Sequence, residues 1–128
     1  MTVLSFVFLL VFAFNVTAQT ATTDRLFADG SSYANAGDFD AALKTYKAAL
    51  AAAEKKYAGK ESLARLHYNI GLCYFQLKRF DEAANEFKTA MLLKTDYSQA
   101  YVALNAAKAR ARSGIDLKTT ALRSTAGN

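Results

Sequence analysis

Proline and tryptophan are absent from this chain of 128 residues, and cysteine and histidine occur once each, as Cys73 and His67. The lack of proline, together with abundant alanine, favours helix over sheet. One cysteine cannot build an internal disulfide framework, so stability has to come from helix packing. One histidine excludes a multi-histidine metal centre. There is no glycine-rich phosphate loop and no serine-nucleophile elbow. Cys73 and His67 lie six residues apart. At about 3.6 residues per helical turn they point away from each other, which disfavours a thiolate–imidazole pair. Cys73 reads as core filler and His67 as packing. The carboxylate pairs Asp38/Asp40 and Asp81/Glu82 are better explained by helix starts than by acid–base chemistry. The expectation is a chain that is not an enzyme, with no cofactor and no metal.

No charge precedes Asp24. Overall, 16 Lys and Arg against 11 Asp and Glu leave a formal charge of +5. From Lys94 onward six basic residues face only Asp96 and Asp116. Such an end attracts acidic surfaces or nucleic acid nonspecifically. Lys108, Arg110 and Arg112 are the residues a nucleic-acid or anionic-membrane reading would use. That reading fits poorly with a secreted chain, and no nucleic-acid partner is expected.

Residues 3–14 are nearly all large and apolar, broken only by Ser5. Twelve residues make about 18 Å of helix at roughly 1.5 Å per residue, too short for a hydrocarbon core of about 30 Å. Val16-Thr17-Ala18 before Gln19 places small residues where a signal peptidase reads. Residues 1–18 are therefore predicted to be a cleaved secretory signal, cut after Ala18. The mature chain would be secreted or periplasmic, with no stable membrane span. No Lys or Arg precedes the apolar run, so an uncleaved anchor is the alternative. Residues 19–22 are a short linker.

The chain repeats itself at an offset of 41 residues. Gly30 meets Gly71, Tyr33 meets Tyr74, Phe39 meets Phe80 and Asp40 meets Asp81. Ala42 meets Ala83, Tyr46 meets Phe87 and Ala49 meets Ala90. A fixed period of this size marks a repeated supersecondary unit. Each unit starts with a helical stretch carrying glycine or alanine on one face, which lets another helix approach. A second stretch follows with alanine and an aromatic at helical spacing. Gly37 fits a helix stop and reversal, while Lys78-Arg79 is the less distinctive turn of the second unit. The prediction is two helix–turn–helix hairpins over residues 23–97.

This pattern resembles the tetratricopeptide repeat, a unit of about 34 residues. His67, Ile70-Gly71, Tyr74, Ala83, Phe87 and Ala90 carry the match in residues 64–97, with Thr95 where the family often has proline. Leu26, Gly30, Tyr33, Ala42, Tyr46 and Ala49 carry it in the first unit, with Asp29 in an apolar position. The period exceeds the usual one, resembling in style the longer repeats of kinesin light chains. The surplus falls around AAAEKKYAGKE and is expected to lengthen the second helix. The fold class implied is all-α, a solenoid of antiparallel helix–turn–helix repeats, about two and a half of them. The repeat domain spans 23–113, as units 23–63, 64–97 and a partial 98–113 with Asn105 in place of the glycine. Residues 114–128 would be a degenerate carboxy-terminal helix, from about Asp116, or a tail. About three repeats are usually needed for stability, so homo-oligomer formation at the unfinished end is open.

In this family the first helices of successive repeats line a concave groove that holds a segment of a partner protein. The resemblance places Phe27, Ser31, Arg65, Tyr68, Asn69, Leu72, Phe75, Val102 and Arg110 in that groove, flanked by Asp24, Asn35, Gln76, Gln99, Ala103 and Ala106. A subset of the family holds chaperone tails with a clamp of lysines, asparagines and arginine. Of its positions only Asn69 matches here, which argues against that ligand. The implied function is a non-catalytic adaptor for a protein or peptide partner outside the cytoplasm. The alternative is an oligomerising structural subunit of an envelope or extracellular assembly.

Overall fold

The computed structural model describes residues 22–55 and 58–126, with side chains as far as 115. The predicted signal and its cut lie outside the described residues. Among the described residues five helices follow one another: α1 over 22–35, α2 Phe39–Glu54, α3 Lys60–Gln76, α4 Phe80–Leu93 and α5 Ser98–Ala126. There is no strand among the described residues. The all-α expectation holds, and α1/α2 and α3/α4 are the two predicted hairpins.

Both reversals have the same local cause. The Gly37 N–H donates to Ala34 O and the Asp38 N–H to Tyr33 O, each at 3.0 Å. The Lys78 N–H donates to Phe75 O at 3.0 Å and the Arg79 N–H to Tyr74 O at 2.9 Å. This is the Schellman pattern, which needs a left-handed residue just past the helix. Gly37 takes φ 80° without cost, whereas Lys78 takes φ 59° with a Cβ in the way. Lys78→Gly is therefore expected to raise unfolding free energy by about 0.5–1 kcal/mol in urea titrations. An unchanged midpoint would show that the strained turn costs nothing. Asp38 then starts α2, its carboxylate accepting from the Ala41 N–H at 3.0 Å. Asp40, Asp81 and Glu82 fall in first turns as expected.

The core is built from small residues and rings that fill the space they leave. Ala42, Ala49, Ala83 and Ala90 are fully buried, and so is Phe87. The repeated glycines are not there for backbone freedom. A Cβ on Gly71 would lie 2.6 Å from the Phe87 ring, and one on Gly30 would lie 2.8 Å from the Tyr46 ring. Each hairpin thus closes by seating an aromatic of its second helix on a glycine of its first. α3 packs on α2 and α4, and α4 packs on α5.

Two boundaries differ from expectation. The surplus residues of the first repeat do not go mainly into its second helix. α2 has 16 residues against 14 in α4. The rest forms the link up to Gly59, an extended N-cap residue (ψ 147°), and an earlier start of α3 at Lys60. Gly59 is a poor helix former and stands just ahead of α3 as its N-cap. Second, no separate helix begins near Asp116. α5 runs on unbroken to Ala126, 29 residues in all. Gly114 costs a helix only about 1 kcal/mol, and no proline enforces a stop. The third repeat therefore has a first helix that does not fold back on itself.

Candidate partner-binding face

Three apolar clefts lie along α3, each shared with the first helix of a neighbouring repeat. The first, of about 220 Å³, opens between the starts of α1 and α3. Phe27, Ala53, Ala58 and Leu66 supply its apolar lining, and Thr23, Asp24, Ser62 and Arg65 its polar lining. The Arg65 guanidinium stacks over Phe27 at 4.6 Å, and Phe27 in turn lies tilted against Tyr46 at 5.6 Å. That sandwich fixes the direction of an exposed cation. The Thr23 hydroxyl is buried without a hydrogen-bond partner.

The second cleft, of about 150 Å³, lies between the later turns of the same helices, among Ala34, Phe39, Tyr46, Asn69, Leu72, Cys73 and Gln76. The Asn69 amide donates to Arg65 O at 2.9 Å. The third, of about 340 Å³, is the most open and lies between α3 and α5, among Tyr68, Ser98, Gln99, Val102 and Ala103. Tyr68 is braced by Phe87 at 5.6 Å and Tyr97 at 5.1 Å.

Six of the nine expected groove residues line these clefts: Phe27 and Arg65, then Asn69 and Leu72, then Tyr68 and Val102. The other three line none of them. Ser31 Oγ donates to Phe27 O at 3.0 Å and accepts from the Tyr46 hydroxyl at 2.9 Å, so it ties α1 to α2. Burial pushes the Tyr46 hydroxyl up from its usual pKa. Phe75 packs edge-on against Phe80 at 5.2 Å. Arg110 is exposed on α5, away from the clefts. Thr23, Ala58 and Ser62 were missed. Thr23 lies in the first turn of α1, and Ala58 and Ser62 flank the start of α3.

The remaining polar groups serve the packing. His67 Nδ1 meets Glu86 Oε2 at 2.7 Å, joining α3 to α4. Tyr74 is held from both sides: Lys47 Nζ donates to its hydroxyl at 2.6 Å, and the Arg79 guanidinium lies 4.6 Å from its ring. Burial pushes the Cys73 thiol up to about 11, which keeps it protonated at neutral pH and a poor nucleophile. Among the described residues no three His, Cys, Asp or Glu side chains are grouped to hold a metal ion. No helix there is long and apolar enough to cross a membrane.

Stacked antiparallel hairpins with clefts along their first helices define an α-helical repeat scaffold. The family model of the tetratricopeptide repeat matches residues 28–96, and the chain belongs to that family. Proteins of this family are typically non-catalytic scaffolds for protein–protein interaction. No curated protein matches the chain.

Proposed function

We propose that this protein is an adaptor that seats a segment of a partner protein along α1, α3 and α5. The observation that carries the reading is the set of three apolar clefts with polar rims, two between α1 and α3 and one between α3 and α5. Leu72 is 36% exposed and Val102 67%. Exposed apolar side chains beside clefts are what a partner's anchor residues bury. The apolar run at residues 3–14 and the small residues before Gln19 support a setting outside the cytoplasm. Amino-terminal sequencing of the purified protein tests that part, with Gln19 expected as the first residue.

Tyr68 and Phe75 are poor probes of binding, because both rings also pack against neighbouring aromatics. Leu72 and Val102 are better, since truncation there removes little core. Peptides selected from a random displayed library on the folded chain are expected to lose at least about tenfold in affinity to Leu72→Glu or Val102→Glu, roughly 1.4 kcal/mol. The melting temperature of both variants should stay within a few degrees of the parent. Selected peptides that bind both variants as well as the parent would remove the clefts from the interface.

A further inference from the structure

A second surface lies on α5, beside the third cleft and sharing none of its lining residues. Its meaning follows from how α3 receives α4. His67, Gly71 and Phe75 form one stripe of α3, meeting Glu86, Phe87 and Phe80 of α4 respectively. The order is antiparallel, so the first turn of α4 arrives beside the last turns of α3. That turn carries Asp81 and Glu82, and Glu82 accepts from the Arg79 guanidinium at 2.7 Å.

The same stripe recurs 34 residues on, as Tyr101, Asn105 and Ala109. All three are exposed, Tyr101 at 57%. The opposite side of α5 is used: Ala100, Leu104 and Ala107 are buried. Because α5 continues to Ala126, its own next turns do not return over the stripe. The charges around it are one-sided. Lys108, Arg110 and Arg112 surround Ala109, and there is no Asp or Glu between Ser98 and Ile115. Those cations stand where the first turn of an antiparallel helix would arrive.

We propose that this stripe docks an amphipathic helix of a partner protein whose first turn is acidic, lying on α5 as α4 lies on α3. Carboxylates at that helix start meet Lys108 and Arg112, and its apolar side covers Tyr101. Asn105 in place of the glycine leaves no room for a ring, so the partner carries a small residue opposite it. A second copy of this chain is a poorer occupant. Its α5 would bring cations against cations, and its acidic helix α4 is already packed between α3 and α5. This surface borders the third cleft at Val102 but shares none of its lining residues.

The test uses the full chain labelled for amide NMR and two synthetic peptides. The first has the sequence of Phe80–Leu93 with Phe87→Ala, keeping its acidic first turn. The second also carries Asp81→Lys, Glu82→Lys and Glu86→Lys. The acidic peptide is expected to shift the amide signals of Tyr101, Asn105 and Ala109, with affinity falling as salt rises. The Lys108→Glu/Arg112→Glu variant should bind it about tenfold more weakly and should now accept the lysine peptide. Since both positions are exposed, the variant's circular dichroism should match the parent. Equal binding of both peptides, shifts confined to the clefts, or no shift up to about 1 mM peptide would overturn the proposal. So would tighter binding of single-stranded RNA at the same residues, or dimerisation of the free chain through Tyr101.

Discussion

Phe87→Ala is expected to cost about 3–5 kcal/mol of unfolding free energy. That is a large part of the roughly 5–15 kcal/mol that holds a small domain folded. The ring is fully buried, lies on Gly71 and braces Tyr68. Its removal opens a cavity between α3 and α4 that backbone collapse cannot fill, because the buried alanines Ala83 and Ala90 already set the helix approach. The loss should appear as a lower urea midpoint and a melting transition shifted by more than ten degrees or so. A loss below about 1 kcal/mol would mean that the hairpin closes without this ring.

Gly71→Ala attacks the same contact from the other side and is the second large effect. On an exposed helix the change would gain about 1 kcal/mol from better helix propensity. Here the added methyl would sit 2.6 and 2.8 Å from two atoms of the Phe87 ring. Such overpacking usually costs about 1–3 kcal/mol, occasionally more, so the sign of the usual substitution is reversed. Gly114→Ala is the control: a Cβ there meets nothing within 4 Å, and that variant should be at least as stable as the parent. The double variant Gly71→Ala/Phe87→Ala should be more stable than the sum of the single effects implies, because the new methyl fills part of the vacated space. Additive losses in denaturant titrations would show that methyl and ring do not compete for one site.

Much of the candidate site was legible from position alone. Phe27, Arg65, Tyr68, Asn69, Leu72 and Val102 stand at the helix positions the repeat pattern assigns to its open side, and they line clefts. Ser31 and Phe75 stand at equally good positions but are taken up by Tyr46 and Phe80. Helical spacing gives the direction of a side chain and says nothing of who waits there. Ala58 and Ser62 were hidden because the period of 41 did not reveal how its surplus divides between link and helix.

What the sequence by itself determined is local. Alanine and the lack of proline make helices, Gly37 and Asp38 reverse the first pair, and the alternation of glycine and aromatic at a fixed offset fixes the hairpin. Burial was decided by the tertiary structure. Tyr33 and Tyr74 are the same residue at the same step of the repeat, yet Tyr33 is 45% exposed and Tyr74 6%. Tyr74 lies against α2 of the preceding hairpin, with Lys47 on its hydroxyl, whereas α1 is the first described helix of the stack. Likewise Tyr101 and Asn105 are open where His67 and Gly71 are covered, because α5 runs straight on instead of turning back. Helix formation depends on bonds four residues apart, but burial depends on which helix lies alongside, and only the assembled stack sets that.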